Sequence, residues 1–312
     1  MTTPLMADRE LSRRRFLTML AAGAGTIALT ACGGSGATDT PQPATSTQPP
    51  TLSPQSSVPV GIPSPSLVIE AVEYGFHTNG STPAGMTMVQ MKNLGQEDHQ
   101  TQFLRLNDGV TLPQLQAALP KDQREIEQLT TLVGGPGTVA AGGTSAAMLN
   151  LAEGQYLLAC FIPGRDGIPH AAKGMVLPLT VTAATAPAIP APATQGTVTM
   201  KEFSYALSMG TLPAGKSMLT IVNEGTQPHE FGLLRLAPGK AAADVTQYFA
   251  SPPAGPPPFS AAGGLTALSP GQRGIAALDL TPGSYAAICF LTDPASGKQH
   301  LTLGMIAGFN VA

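Results

Sequence analysis

The side chains able to do metal chemistry in this 312-residue chain are few, and most of them occur in a repeated order. The chain contains five histidines and three cysteines. Two series each run from a histidine to a cysteine about 60 residues later, then to a second histidine and a methionine. The two series are His99, Cys160, His170 and Met175, and His229, Cys289, His300 and Met305. This order predicts two sites of one kind.

These residue types together form the ligand set of a particular kind of metal site. A thiolate and two imidazoles in a trigonal arrangement, with a weak axial thioether, hold the metal in blue-copper electron-transfer sites. The thiolate and the thioether suit Cu(I), and the imidazoles suit Cu(II). Zinc would also accept Cys and His, but a structural zinc site normally gains a fourth hard or thiolate ligand rather than Met. The pattern therefore predicts copper in each series.

The chain contains two copies of one sequence. Residues 93–106 align with residues 223–236 at an offset of 130, and the later Cys, His and Met residues keep an offset of 129 or 130. A shift held over this length indicates two copies of one domain rather than a solenoid, whose repeats run to tens of residues. We predict domain 1 at residues 67–183, an Ala/Pro linker at 184–195 and domain 2 at 196–312.

The composition favours strands over helices, because only 11% of the residues are charged and 35 Gly and 30 Pro supply many turns. Each copy shows six short strand patterns, with a stretch of helical spacing between the third and the fourth. Thr111 can cap this helix in domain 1, and its apolar face in domain 2 holds Val245 and Phe249. We predict an all-β protein of two tandem Greek-key β-sandwiches, each with a short helical insertion. The insertion either offers a partner surface or covers a sheet edge, and we favour the second interpretation.

Three segments of the second copy resemble those of the cupredoxins, the superfamily of plastocyanin and azurin. Asn223–His229 is similar to the segment that ends in the first copper ligand, where Asn and Gly lead to a Pro-His step. Pro282–Cys289 is similar to the approach to the copper cysteine, and domain 1 keeps the Gly-x-Tyr step ahead of Cys160. His300–Met305 is similar to the His-x4-Met ending of the family.

The resemblance covers residues 67–182 and 197–312. It implies a type 1 copper centre in each copy, with His99 or His229 as the first ligand. Without copper, the same residues would serve as packing and hydrogen-bonding groups of a metal-free sandwich, or the two thiols could form a disulfide, which we consider improbable.

The chain departs from the family between the cysteine and the second histidine, where cupredoxins have only a few residues and this chain has nine or ten. Turn dipeptides at 166–167 and 296–297 predict a small hairpin in each insertion. Such a hairpin either returns the histidine to the cysteine or leaves it pointing away. Glu97 and Asp98 replace neutral residues ahead of the first histidine of domain 1, so domain 2 is the better copper candidate.

The N-terminal segment reads as an export signal. Residues 12–17 resemble a twin-arginine signal, and the sequence that ends at Cys32 resembles a bacterial lipobox, whose cysteine receives the lipid. We predict a signal at residues 1–32 and a disordered tether at 33–66. The protein would then be an extracytoplasmic lipoprotein, periplasmic or extracellular, held on the membrane through Cys32. The alternative is an uncleaved N-terminal anchor.

The favoured function is single-electron transfer with a redox protein as a possible partner. A metal-free or copper-handling binding module without a redox role is the alternative. Copper oxidases and nitrite reductases need further histidines, and only His77 remains, so we predict that the protein is not an enzyme. The low charge and the lack of a basic cluster argue against a nucleic-acid partner.

Overall fold

A computed structural model describes residues 61–79, 82–185, 187, 190–208, 211–251 and 255–312. The predicted signal, Cys32 and the first part of the predicted tether lie outside these residues. Within them, no helix has the length and apolar character needed to cross a membrane.

The described part of the first half contains ten strands, two helices and a 3₁₀ turn. In chain order they are β1 (Leu67–Val72), β2 (Gly75–Thr78), β3 (Thr82–Pro83), β4 (Gly85–Asn93), β5 (Gln102–Leu106), α1 (Leu112–Ala118), α2 (Gln123–Leu129), β6 (Thr130–Leu132), β7 (Pro136–Val139), β8 (Thr144–Leu151), β9 (Gly154–Ala159), the 3₁₀ turn (His170–Lys173) and β10 (Val176–Thr182).

The described part of the second half contains eight strands, one helix and a 3₁₀ turn. In chain order they are β11 (Gly196–Lys201), β12 (Ser204–Leu207), β13 (Gly215–Asn223), β14 (His229–Leu236), α3 (Ala242–Ala250), β15 (Phe259–Leu268), β16 (Arg273–Leu280), β17 (Gly283–Ile288), the 3₁₀ turn (His300–Leu303) and β18 (Ile306–Val311).

Each half is a sandwich of two sheets. The first half has the strand orders β2-β1-β4-β8 and β3-β10-β9-β5-β6, and the second half has β12-β11-β13-β16 and β18-β17-β14-β15. The chain crosses from one sheet to the other between β4 and β5 and again between β8 and β9, so several neighbours in a sheet, such as β4 and β8, are far apart in sequence. The predicted all-β fold of two Greek-key sandwiches is confirmed.

Strand pairing also joins the two halves. β8 pairs antiparallel with β16, with Met148 opposite Ile275, so two four-stranded sheets form one sheet of eight strands. β7 belongs to the first half in sequence but pairs with β15, with Val139 opposite Ala262, and becomes the fifth strand of a sheet of the second half. The halves are therefore joined by hydrogen bonds between strands of shared sheets. The domain boundaries predicted from the sequence stay predictions.

Two buried tyrosines anchor the strands that lead to the cysteines. The hydroxyl of Tyr156 donates to the carbonyl oxygen of Ala152 at 2.9 Å, and that of Tyr285 donates to the carbonyl oxygen of Thr281 at 3.0 Å. Both rings lie in the main apolar core between the sheets. A buried tyrosine that satisfies its hydroxyl in this way stabilises the sandwich, so these two residues have a structural role.

The helices pack on a sheet face, which corrects the expectation that they cover a sheet edge. Leu115 of α1 and Ile126 of α2 join an apolar cluster with Leu104 of β5 and Leu157 of β9. The amide N–H of Thr111 donates to the Gln114 side chain at 2.8 Å at the start of α1. The second half repeats the arrangement with α3. Amphipathic helices bury their apolar stripe most fully against a face, where outward-pointing strand side chains are also apolar.

Candidate metal centres

A buried asparagine fixes the loop that carries the first histidine. Asn93 donates from Nδ2 to the carbonyl oxygens of Glu97, at 2.8 Å, and Val139, at 3.0 Å, and accepts the N–H of Gly95 at 3.0 Å. Asn223 makes the same three hydrogen bonds in the second half, at 2.8–2.9 Å. These bonds give the buried amide its partners and tie the loop of the first histidine to a neighbouring strand.

A glycine two residues after each asparagine makes room for the first imidazole. A Cβ atom on Gly95 would lie 2.8 Å from Nε2 of His99, and one on Gly225 would lie 2.8 Å from Nε2 of His229. Carbon atoms do not approach so closely without displacing the ring. The Asn-x-Gly pattern in the sequence therefore positions the first histidine of each half.

The insertion between cysteine and second histidine is a hairpin in both halves. Cys160 follows β9 directly, and the N–H of His170 donates to the carbonyl oxygen of Ile162 at 2.9 Å. In the second half, the N–H of His300 donates to the carbonyl oxygen of Leu291 at 2.8 Å. The predicted hairpins are confirmed, and they return each second histidine to its cysteine.

A 3₁₀ turn and a left-handed glycine connect each second histidine to its methionine. Gly174 has φ +102° and Gly304 has φ +108°, a conformation that favours glycine. The reversal lets the N–H of Met175 donate to the carbonyl oxygen of His170 at 2.9 Å, while its own carbonyl accepts the N–H of Cys160 at 3.2 Å. Both methionines are fully buried. Their role as axial ligands stays a prediction.

The structure brings the two histidines and the cysteine of each series together. We call His99, Cys160 and His170 centre 1, and His229, Cys289 and His300 centre 2. In centre 1 the cysteine Sγ lies 3.6 Å from Nδ1 of the second histidine and 3.9 Å from Nδ1 of the first, and the two Nδ1 atoms are 3.2 Å apart. In centre 2 the corresponding sulfur to second-histidine distance is 3.4 Å, and the Nδ1 atoms are 3.1 Å apart. All six side chains are fully buried, and each set lies within 4.8 Å.

These separations fit one metal ion per centre. Bonds of about 2.0–2.1 Å to nitrogen and about 2.3 Å to sulfur, the values for zinc, place neighbouring donor atoms roughly 3–4 Å apart. The observed separations run from 3.1 to 3.9 Å. A set of one thiol and two imidazoles is suited to copper. The two centres have nearly the same dimensions, so these distances favour neither of them.

Burial favours the neutral form of both thiols and of three of the imidazoles, those of His99, His229 and His300. Desolvation raises the pKa of the Cys160 thiol to about 11 and raises the pKa of Cys289 well above its usual value. Desolvation lowers the pKa of His99 and of His229, and together with the adjacent His229 it lowers the pKa of His300 to about 4. An arriving metal ion must therefore displace a proton from sulfur, whereas these imidazoles are already free to bind.

The second imidazole of each centre has an oxygen acceptor on its outer nitrogen. Nε2 of His170 lies 2.8 Å from Oε2 of Glu97, and Nε2 of His300 lies 3.3 Å from Oε1 of Gln227. The Gln227 amide is oriented by Asp293, which accepts from its Nε2 at 3.1 Å. An outer N–H donated to oxygen leaves the Nδ1 lone pair directed at the cysteine.

The first imidazole of each centre has a glutamate beside its outer nitrogen. Glu73 Oε1 lies 3.5 Å from Nε2 of His99, and Glu202 Oε1 lies 3.7 Å from Nε2 of His229. Burial acts to raise the pKa of Glu202, but hydrogen bonds led by the Thr226 amide outweigh it and lower the pKa to about 2. Both glutamates hold the histidine loop by accepting its amide N–H groups, and Glu202 also accepts the Thr226 hydroxyl.

Sequence reasoning missed the outer partners Glu73, Glu202, Gln227 and Asp293. The two glutamates are 129 residues apart and each precedes an aromatic residue, so the repeat contained a signal that could have found them. His77, the remaining histidine, lies exposed on β2 outside both centres. In the described part of the chain both cysteines are free, so they form no disulfide with each other.

No known family model and no curated protein matches the chain. Among solved structures, the chain is similar to a reduced auracyanin from Roseiflexus castenholzii at 25% identity, covering 37% of this chain and 94% of that one, with a TM-score of 0.25. It is similar to auracyanin A, a "blue" copper protein from Chloroflexus aurantiacus, at 16% identity, covering 37% and 98% of the two chains, with a TM-score of 0.25. It is also similar to a copper nitrite reductase from Nitrosomonas europaea at 15% identity, covering 78% and 93%, with a TM-score of 0.22.

The topology of both halves agrees with the predicted cupredoxin resemblance. In each, the first long strands pair in parallel, β1 with β4 and β11 with β13, and the chain then crosses to the second sheet. The cysteine follows the penultimate strand of each half, and the methionine immediately precedes the last. The centre thus lies where the ends of three strands meet inside the sandwich.

Proposed function

We propose that the chain is an extracytoplasmic electron-transfer protein that binds one type 1 copper ion in each cupredoxin-like half. The observation that carries the proposal is the twofold convergence of one thiol and two imidazoles in a fully buried cage. Bound copper would supply a one-electron couple. His99, Cys160 and His170 would hold it in centre 1 and their counterparts in centre 2, with the buried methionines as axial ligands.

The protein positions these ligands through groups outside the cage. Asn93 and Asn223 fix the loops of the first histidines, the hairpins fix the second histidines, and the outer oxygen acceptors select which ring nitrogen faces inward. Ligands held by such partners need little rearrangement when the charge of a bound ion changes. This rigidity favours electron transfer.

Electron transfer accounts for the centres better than catalysis at the metal. All ligand side chains are fully buried, so a substrate has no direct access to the cage. A catalytic copper site would need additional histidines, and His77 lies exposed on β2. Within the residues the structure describes, the clusters suited to a metal are the two centres alone. We therefore interpret the protein as an electron carrier and not as an enzyme.

A metal-free binding module is the second candidate function, and one observation favours it. The paired Nδ1 atoms lie 3.1–3.2 Å apart, a separation at which one ring N–H can donate to the other ring without any metal. The copper content of the purified protein distinguishes this candidate from the first.

A copper titration of the full chain, purified in detergent, tests the proposal. Cu(II) should produce the intense visible thiolate-to-copper band with two ions bound per chain. Cys160→Ser and Cys289→Ser should each remove about half of the band, since each deletes the thiolate of one centre. His77→Ala is the matched control, because it removes a histidine outside both centres, and it should leave the band unchanged. A colourless protein without bound metal would contradict the proposal and support the binding module.

We also propose that residues 1–32 direct twin-arginine export and that a lipid on Cys32 anchors the chain to the membrane. The proposed partner is a redox protein that docks on the anchored chain. The sequence of residues 12–32 supports this location. Mass spectrometry of the protein from a membrane fraction should show an N-terminal lipidated Cys32. Cys32→Ser should abolish the lipid, and an intact Met1 on the membrane-bound protein would contradict the lipoprotein proposal.

A further inference from the structure

The two centres differ in the group that meets the outer nitrogen of the second histidine. In centre 1 the outer nitrogen of His170 meets the carboxylate of Glu97 at 2.8 Å. In centre 2 the outer nitrogen of His300 meets the neutral amide of Gln227 at 3.3 Å. Glu97 and Gln227 are equivalent positions of the repeat, 130 residues apart. The second histidine therefore meets a carboxylate in centre 1 and a neutral amide in centre 2.

Two cations lie near Glu97, Arg165 and Lys173. The Lys173 ammonium forms its close ion pair with Asp166, at 2.8 Å, instead. The nearest cation, Arg165, places Nε 3.7 Å from Oε1 of Glu97, but its side chain is 88% exposed while that of Glu97 is 19% exposed. Water screens an ion pair of this kind, so it is weak. Oε2 of Glu97 lies at hydrogen-bond distance from His170, whereas Arg165 lies near Oε1. The closer of these two contacts is therefore the one with the ligand.

The surroundings of Gln227 keep the neutral group in place. Its Nε2 donates to Asp293, so its Oε1 is turned toward His300. The Asp293 carboxylate also accepts hydrogen bonds from the backbone and the hydroxyl of Ser296, at 2.9 and 2.6 Å, which spread its charge away from the imidazole. The acid in this half thus lies one side chain further from the metal ligand than Glu97 does in the other half.

We propose that Glu97 makes centre 1 the lower-potential member of the pair and Gln227 makes centre 2 the higher-potential member. This inference rests on the proposed function, in which both centres hold copper. A carboxylate that accepts from a ligand imidazole makes the imidazole a stronger donor and favours the more highly charged Cu(II). A neutral amide gives this stabilisation to a smaller extent.

The difference gives the two halves an order. With copper held by the ligands of both centres, one electron would pass from Cu(I) in centre 1, which would become Cu(II), to Cu(II) in centre 2, which would become Cu(I). The halves are also joined at the site, because the backbone of His99 pairs with Val139, and Val139 pairs with Ala262 of the second half. The chain would then receive electrons at centre 1 and deliver them from centre 2.

Redox titration of single-centre proteins tests this order. The full chain with Cys289→Ser retains centre 1, and the full chain with Cys160→Ser retains centre 2, each followed by its visible band. Glu97→Gln in the first should change the Cu(II)-to-Cu(I) binding ratio about tenfold toward Cu(I), which is about 59 mV more positive for one electron. Gln227→Glu in the second, combined with Asp293→Asn so that an amide again faces position 227, should shift the potential of centre 2 in the opposite direction.

Affinity measurements give a second readout. Removal of an outer-shell partner typically costs 10–100-fold in metal affinity. Glu97→Gln should weaken Cu(II) binding by about tenfold or more, with a smaller effect on Cu(I). Charges other than that of Asp293, including Glu230 near Cys289, stay constant because each exchange is made within one centre. Glu153→Gln, at the opposite end of β9 from Cys160, removes an equal charge and should leave both readouts unchanged.

The outcomes separate this inference from the proposed function. Unequal potentials in the stated order, with opposite shifts on the two exchanges, would support it. Two copper-loaded centres of equal potential, or potentials unmoved by either exchange, would overturn the inference and leave copper binding intact. Absence of the visible band from both single-centre proteins would overturn the proposed function itself. If Glu97→Gln fails to fold by circular dichroism, the Gln227→Glu shift alone decides.

Discussion

Binding of Cu(I) to centre 1 should release one proton per ion near pH 7, and this proton should come from Cys160. Burial raises the pKa of that thiol to about 11, so it is protonated in the metal-free protein. Burial lowers the pKa of His99, so this imidazole has no proton to lose at neutral pH. Since metal and proton compete for the sulfur, affinity must increase as pH rises.

The size of the effect follows from the thiol. At pH 7 the solution is four units below a pKa of about 11. Each unit corresponds to about 1.4 kcal/mol, so deprotonation of Cys160 costs about 5 kcal/mol of binding free energy. Between pH 7 and 9 the apparent association constant should increase about tenfold per unit, because one proton leaves for each ion bound.

The assay is a competition titration with a coloured Cu(I) chelator at several pH values. The protein carries Cys289→Ser, so that only centre 1 binds, and Cys160→Ser in addition serves as the control that should bind weakly and without this pH dependence. Calorimetry in buffers with different ionisation enthalpies gives the proton count independently. A slope of zero, when the logarithm of the apparent association constant is plotted against pH, would show that the thiol is already ionised. A slope of two or more would show that charged imidazoles also lose protons. Either result refutes the reasoning.

Three further predictions concern stability, measured as the free energy of unfolding in urea. Burial raises the pKa of Glu230 to about 7, and Gln stands at the matching position 100 of the other half. Glu230→Gln keeps an acceptor for the Phe290 N–H and should therefore stabilise the protein by about 3 kcal/mol at pH 8 but not at pH 4. Equal effects at both pH values would contradict this prediction. Asn223→Ala leaves three backbone groups without partners and should destabilise by about 3–5 kcal/mol, and a loss under about 1 kcal/mol would show that its bonds do not hold the loop. Burial lowers the pKa of His300 to about 4, so the unfolded chain takes up this proton first and His300 alone should contribute a loss of about 3 kcal/mol between pH 6.5 and 4. His300→Gln should remove this contribution, so the variant should gain about 3 kcal/mol relative to the unmodified protein over that range, and an unchanged difference between the two proteins would contradict it.

The sequence allowed the repeat, most long strands and the composition of both centres to be predicted. Strand alternation and the turn residues between strands are local properties, so β4, β8 and their counterparts could be placed from pattern alone. The identity of the ligands could be predicted because four residue types recur in one order, which ordinary core packing does not require.

The pairing between the halves could not be predicted in this way. β15 contains Gly263 and Gly264 with φ +88° and +101°, and its register with β14 shifts twice, so its sequence lacks a clean period of two. A Cβ atom on Gly137 of β7 would collide with the Gly263 backbone, so β7 depends on close approach to the other half. Neither feature has a local signal, because each exists only when distant segments meet.

The outer partners of the histidines were missed for a related reason. Glu73 lies on the turn between β1 and β2, and it reaches His99 only because β1 runs beside β4. Glu97 attracted notice as a departure from a neutral pattern, and its contact with His170 depends on where the hairpin returns that residue. Side chains that are distant in sequence meet only in the folded protein. In the sequence, only their recurrence at equivalent positions of both copies could indicate them.

X-ray absorption at the copper edge of the loaded chain tests the central claim most directly. The account predicts two copper ions per chain, each with one short bond to sulfur and two to imidazole nitrogen, from Cys160, His99 and His170 in centre 1 and the corresponding residues in centre 2. Copper bound only by nitrogen and oxygen, or failure of the chain to retain copper, would contradict it.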